Sequence, residues 1–275
     1  MRVVVATGES AAQRYLVARV AQEHELAGVI VHAPKAPSGS LLDRIGRYLT
    51  PGKAFRYLRT RRLLARYEAR SAELRARLFH IEAMPDVPHV RVEDINAPEA
   101  VRFVRELAPD LLCVNGTNLL REPMLALGTT TINLHTGLSP YSRGGNCNLF
   151  MLLEGHPELV GITIHHIDRG IDSGDIIITA RAPLEPDDTY EAVEAKNYRL
   201  GIDMMLVAIR QLAEGRAARV PQWEQGKLFL RRTGYVYEPS LRVNANRLIE
   251  QGLLRDYLAH REERDRGVRL IGELA

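Results

Sequence analysis

Residues 110–116, DLLCVNG, and residues 130–135, TTINLH, are apolar runs rich in β-branched side chains, and each closes on polar residues. That pattern reads as two strands whose carboxyl ends carry chemistry. Five more runs of the same kind are present: RVVVATG (2–8), LAGVIVHAP (26–34), HVRVEDI (89–95), VGITIHHID (160–168) and DIIITARAPL (175–184). Between them, Ala11 to Glu23, Pro98 to Leu107 and Asn146 to Glu154 space their apolar residues as helices do. The alternation predicts an α/β, Rossmann-like fold with a mostly parallel sheet flanked by helices, and a ligand site beyond the carboxyl ends of the strands.

The chain has 275 residues, 45% of them hydrophobic and 26% charged, as in an ordinary globular protein with a sizeable core. No apolar run reaches the roughly 18 to 20 residues of a membrane helix. The N-terminus passes directly into a short strand and a polar turn, so no signal peptide is expected and the location is expected to be cytoplasmic. Cys113 and Cys147 stand alone, outside any CxxC or Cys/His cluster, which gives no basis for a disulfide framework or a metal site.

The net charge of +3 is unevenly spread. Ten basic residues lie between Arg44 and Arg75, against Glu68 and Glu73, and Arg77 follows. Phe55 to Leu78 reads as one long helix with Leu58, Leu63, Leu64, Tyr67, Leu74 and Leu78 available for an apolar face. It interrupts the strand–helix rhythm as a basic insertion over about 40–80. It is either a solvated face on a helix covering the sheet or a partner subunit, or a site for a phosphorylated ligand. A second long helix is expected from Asp187-Asp188-Thr189, where Asp or Thr can cap, to about Glu214. GKLFLRRTGYVY then suggests a short strand or hairpin before a charged helical tail. The expected organisation is one domain over 1–215 and a short extension over 216–275.

Asn133 and His135, two apart at a strand end, point to one side of the sheet, and Leu134 to the other. Gly137, Pro140, Gly144 and Gly145 supply the following loop with turn geometry. Alone, this pair reads equally well as a structural hydrogen bond. A second loop, in GITIHHIDRGIDSGDII (161–177), offers Asp168, Asp172 and Asp175. If Asp172 reaches His135, an amide can polarise a carbonyl, an imidazole can move protons or stabilise an oxyanion, and a carboxylate can fix the imidazole's charge and tautomer. With no nucleophilic Ser or Cys evident, that set suits direct acyl transfer. His165 and His166 read either as packing residues or as neighbours of the site.

These motifs resemble the 10-formyltetrahydrofolate-dependent formyltransferases. The family's Asn-Ile-His and its Ser/Leu/Pro loop ending in Arg-Gly is similar to Asn133-Leu134-His135 through Arg143-Gly144, and its Gly-x-Thr-x-His with an Asp-x-Gly loop to Gly161–His165 and Asp172-Ser173-Gly174. The resemblance covers roughly residues 1–215. It implies a catalytic triad of Asn133, His135 and Asp172. In it Asn133 and a protonated His135 stabilise the oxyanion formed when an amine attacks the formyl carbon. It also implies a folate site along Asn115, Gly116, Thr117, Leu119, Asp168, Gly170 and Ile171, and an acceptor site near Gly8, Ser10, Arg143 and Gly144.

The acceptor is less defined. The tail from about Ser240 is too short and too poor in strands for the OB-like domain of methionyl-tRNA formyltransferase, which argues against tRNA. Glu9 would repel a phosphate at the first turn, which argues against glycinamide ribonucleotide. A small amine remains, as for stand-alone enzymes acting on amino sugars or natural-product precursors; a nucleotide-linked amino sugar would give Arg56, Arg59 and Arg62 a diphosphate. The alternatives are a 10-formyltetrahydrofolate hydrolase, whose family members carry an N-terminal regulatory domain that does not precede Arg2 here, and a nucleic-acid-binding protein using the basic segment with Phe55, Tyr57 and Tyr67. Neither a membrane nor a nucleic acid is the expected partner. An apolar helix face would suit a homodimer.

Overall fold

The computed structural model describes residues 1–34, 51–81 and 83–272. The N-terminal part of the basic segment, with Arg44 and Arg47, lies outside the described residues. All seven expected strands form one sheet: β1 (Arg2–Thr7), β2 (Glu25–His32), β3 (His89–Val92), β4 (Leu111–Asn115), β5 (Thr130–His135), β7 (Ile162–His166) and β8 (Ile176–Ala180), in the order β3-β2-β1-β4-β5-β7-β8. The first five run parallel, because helical crossovers join them. β7 and β8 run antiparallel at one end. Both faces are covered, so the inner strands are apolar throughout; Val3, Val4, Val5, Leu111, Leu112 and Cys113 are all buried.

The helices are α1 (Ala11–Glu23), α2 (Pro51–Leu78), α3 (Pro98–Leu107), α4 (Glu122–Leu125), α5 (Cys147–Leu153), α6 (Tyr190–Ala213), α7 (Pro239–Glu250), α8 (Leu253–Ala259) and α9 (Arg261–Asp265). At the start of α1 the Ser10 hydroxyl accepts from the Gln13 backbone N–H while the Gln13 side chain accepts from the Ser10 N–H, a complete capping box. Ser10→Ala removes the hydroxyl and should cost about 1 kcal/mol of stability, read as a lower urea midpoint at unchanged slope. Thr189 caps α6 by accepting from Ala192 N at 3.1 Å, while Asp188 pairs with Lys196 instead.

Three details differ from the sequence reading. The arginine-rich helix begins at Pro51, a turn before Phe55, and occupies the β2-to-β3 connection, where a parallel crossover puts a helix. Its buried face holds Tyr67 and Ser71, and Tyr67 Oη donates to Glu250 on α7 at 3.1 Å. Leu58 does not join that face; it is exposed beside Phe55 and Tyr57. Finally, GKLFLRRTGYVY forms a short strand, one of the two forms expected, but with a partner distant in the chain. Lys227–Phe229 (β9) pairs in parallel with Ser142–Gly144 (β6), a strand inside the loop after His135. The chain's last described residues return to the sheet: Ile271 exchanges bonds with Thr179, covering the β8 edge, and Arg181 holds Asp265 at 2.6 and 2.8 Å.

Candidate active site

The antiparallel register of β5 and β7 sets Asn133 opposite His165 and His135 opposite Thr163. Asn133, His135 and His165 therefore share one face at the carboxyl end of β5, and Leu134 turns into the core. His166, one residue on, faces away from them. Asp172 arrives from the β7–β8 loop with φ +46°, a left-handed conformation that Asp tolerates better than most residues. The loop is pressed against β7: a Cβ on Gly174 would lie 1.8 Å from the His166 carbonyl oxygen. Gln222 ties the loop down by donating to the Asp172 and Gly174 carbonyls at 2.8 and 3.0 Å.

Asp172 sits between the two imidazoles. Its Oδ2 accepts from the Gly144 N–H at 2.9 Å and lies 3.4 Å from His135 Nδ1; its Oδ1 accepts from Asn133 Nδ2 at 3.3 Å and lies 3.5 Å from His165 Nε2. Burial alone would raise its pKa, but His135, His165 and the Gly144 N–H together hold it well below the usual carboxylate range. Burial pushes His135 the other way, below its ordinary value, against the pull of Asp172; His165 pushes with burial and the Ser142 carbonyl pulls with Asp172. Burial thus favours the neutral ring, while the two acceptors that face its nitrogens, the Asp172 carboxylate at Nδ1 and the Ser142 carbonyl at Nε2, favour the charged one. Its Nε2 lies 3.2 Å from the Ser142 carbonyl, which accepts when that nitrogen carries the proton, in a long contact that a substrate oxygen can replace. Gly137 must be small beside this ring, since a Cβ there would lie 2.4 Å from Nε2.

His165 belongs to this group although sequence left it undecided. Its Nδ1–H donates to the His166 carbonyl at 2.8 Å, which leaves Nε2 to accept from Asn133 Nδ2 at 3.1 Å. The signal was its period-two relation to Thr163, but the β5–β7 register that makes it decisive is not written in either strand alone.

The triad floors a cleft of about 490 Å³ whose walls include Asn115, Gly116, Thr117, Leu119, Asp168, Gly170 and Ile171. Asn115 is inward-turned: its Nδ2 donates to Leu134 O at 3.0 Å and its Oδ1 accepts from Tyr198 Oη. Asp168 is likewise spent on its own loop, accepting from Gly170 N and Ser173 Oγ at 2.9 Å each. What these loops offer a ligand is backbone polar groups and apolar side chains such as Leu119, Leu120 and Ile167, and Leu230 joins them from beyond β9, which suits a flat heterocycle with a polar edge.

The residues expected near the acceptor do not all meet. Gly144 reaches the cleft, though its N–H is committed to Asp172. Arg143 lines neither large cavity, and its Nε is buried without a hydrogen-bond partner. Gly8 is kept small by Gln13, whose Oε1 would lie 2.6 Å from a Cβ. Ser10 does reach a second cavity, of about 810 Å³, and Tyr198 lines both cavities. Glu9 is held in an ion pair by Arg91. Arg56, Arg59 and Arg62 are exposed and line neither large cavity; Arg75 is the arginine of α2 that reaches the second one.

Residues 56–209 match the model of the formyl transferase family. The chain belongs to that family. This formyl transferase is 34% identical over 140 residues to methionyl-tRNA formyltransferase of Akkermansia muciniphila, a match covering 50% of the chain and 44% of the relative. It is 32% identical over 142 residues to that of Symbiobacterium thermophilum, covering 51% and 43%. The match thus spans less than half the length of these curated relatives. Among solved structures, a sugar N-formyltransferase from a Shewanella species shares its fold at TM-score 0.53 and 17% identity, covering 83% of this chain and 76% of that one. Glycinamide ribonucleotide transformylase of Symbiobacterium toebii does so at TM-score 0.53 and 21% identity, covering 81% and 93%. The family uses 10-formyltetrahydrofolate as its formyl donor. No helix among the described residues is long and apolar enough to cross a membrane, and no cluster of His, Cys, Asp or Glu among them has the arrangement of a metal site.

Proposed function

We propose that the protein transfers a formyl group from 10-formyltetrahydrofolate to a primary amine of a small acceptor, of the amino-sugar class, by direct attack. The observation that carries this reading is the convergence of Asn133, His135 and Asp172 on the floor of one cleft that adjoins a second cavity. The folate would lie along the Asn115–Leu119 and Asp168–Ile171 loops. His135 Nε2–H would meet the oxygen of the tetrahedral adduct, Asn133 Nδ2 would turn toward it one of the two hydrogens that it now gives to Asp172 and His165, and the ionised Asp172 would stabilise the imidazole as it gains charge. As the adduct collapses, the amine's proton passes to the folate nitrogen that carried the formyl group.

Direct transfer is supported by the state of the nearest thiol. Cys147 is buried, and burial together with Asp172 raises its pKa far above the usual thiol range, so it is not a thiolate nucleophile. The second cavity favours an amine-bearing acceptor over water alone, and its size suits a sugar with substituents. If that acceptor carries a phosphate, Arg75 is placed to meet it and Arg56, Arg59 and Arg62 are not.

The first test is calorimetric titration with 5-formyltetrahydrofolate, a stable isomer of the donor, followed by a panel of amines assayed with 10-formyltetrahydrofolate. Saturable binding is expected at micromolar concentrations. Absence of binding up to about 1 mM, some 4 kcal/mol of affinity or less, would withdraw the formyl-transfer reading.

A further inference from the structure

The second cavity is bordered by the start of α1, by Glu68 and Arg75 of α2 with Phe79 just past its end, by α6 through Tyr190, Glu191, Glu194 and Tyr198, and by Arg242 of α7. Its charged groups are unequally satisfied. Glu191 accepts from Arg242 Nε and an Nη at 3.1 and 2.7 Å and from Asn246 Nδ2 at 3.0 Å, and Arg242 also holds Glu68 at 3.0 Å. One guanidinium thus serves two carboxylates. Glu194 also lines the cavity, yet its Oε1 is shut off from solvent and finds no hydrogen-bond partner.

The contrast with Asp172 is instructive. Asp172 accepts from Gly144 and Glu194 has Asn148 beside it, so both lie near the turn at the start of α5. Asp172 receives a backbone N–H and an amide and faces two imidazoles. Glu194 has Asn148, Arg242 and Tyr190 to pull its carboxyl down against burial, but Arg242 is already committed to Glu191 and Glu68, and Glu191 adds a like charge. A carboxyl left so in a cavity wall is costly to ionise and is a receptor for positive charge.

We propose that the second cavity takes the acceptor and that Glu194 selects an acceptor with two amino groups, pairing with the cationic nitrogen that is not formylated while the other reaches Asn133 and His135. The proposal rests on the formyl-transfer reading and narrows its substrate to a diamino compound, diamino sugars included. The cation supplies the donors and the counter-charge that Glu194 lacks, and Phe79, Tyr190, Tyr198 and Tyr237 enclose the carbon frame between the two nitrogens. Burial pushes Glu194 up to about 7, so a bound cation must displace its proton, and binding strengthens as pH rises from 6 to 8. Of the other groups around the cavity, Glu191 and Glu68 are held by Arg242, and Arg75, Tyr190, Tyr198 and Tyr237 line its wall.

The test uses the full chain saturated with 5-formyltetrahydrofolate, titrated with 1,4-diaminobutane and with 4-aminobutan-1-ol at pH 6 and pH 8. The wild type is expected to prefer the diamine by roughly tenfold or more at pH 8, and less at pH 6. Glu194→Gln should abolish the preference while folate affinity is kept. Equal binding of the two compounds, failure of the diamine to bind, or an undiminished preference in Glu194→Gln each overturns the proposal. Folate affinity is read separately, so a chain that binds folate but shows no Glu194-dependent preference loses only this inference.

Discussion

His135→Ala lowers the single-turnover rate of formyl transfer by about 10²–10³-fold, equivalent to about 2.7 to 4 kcal/mol of lost transition-state stabilisation. Asn133→Ala costs about the same, because each variant removes one donor aimed at the same developing oxygen. Asp172→Asn should be as damaging by another route: the carboxylate that stabilises the charged imidazole is lost, and an amide nitrogen can face the Gly144 N–H that now donates to Oδ2 at 2.9 Å. The three act as a unit, so the double variant His135→Ala/Asp172→Asn should be little slower than the worse single one. Folate binding, read by calorimetry, should survive in each. Because burial keeps the His135 proton affinity low, the acid limb of the kcat profile should fall below the ordinary histidine range and leave pH 7 to 8 flat. A His135→Ala rate within about threefold of wild type would remove the imidazole from the chemistry.

Much of this arrangement was legible before any coordinates, for identifiable reasons. The seven strands announce themselves because a sheet covered on both faces needs continuous apolar β-branched runs, and Val3–Val5, Leu111–Val114 and Ile176–Ile178 are such runs. Asn133 and His135 could be paired because the two-residue period of a strand is local. Asp172 could be joined to them through motif resemblance, not through any spacing in the chain. What stayed hidden depends on partners distant in sequence. His165 enters the site through cross-strand register. Asn115 looks available in the sequence but is consumed by Tyr198, 83 residues away. β6 exists only because Lys227–Phe229 comes alongside it. The arginines of α2 mislead for a related reason: composition gives their number but not which of them turns toward a cavity, and among the described ones Arg75 lines the second cavity while Arg70 lines a smaller one elsewhere.

Glu194→Gln should make the ligand-free protein more stable, and by an amount that depends on pH. An unfolded glutamate titrates near 4.5, whereas burial pushes Glu194 up to about 7 in the folded protein. Between those values the folded state keeps a proton that the unfolded state has released, so stability falls as pH rises through that window and the penalty is complete above it. At about 1.4 kcal/mol for each pH unit the full penalty is about 3 kcal/mol. Glutamine has nearly the same shape, keeps an oxygen for the Asn148 amide and carries no charge, so it escapes the penalty. Urea midpoints of wild type and variant should therefore coincide near pH 4.5 and diverge progressively up to pH 8, with the variant higher. A pH-independent difference would mean that Glu194 is ionised in the folded state by some donor or cation, and a less stable variant would mean that it makes a bond worth more than its desolvation costs. A protein that keeps a destabilising carboxyl in a cavity wall beside its active site is trading stability for a binding contact, and saturating 1,4-diaminobutane should narrow the gap at pH 8, because the cation gives the wild type what Glu194 lacks and gives the variant nothing.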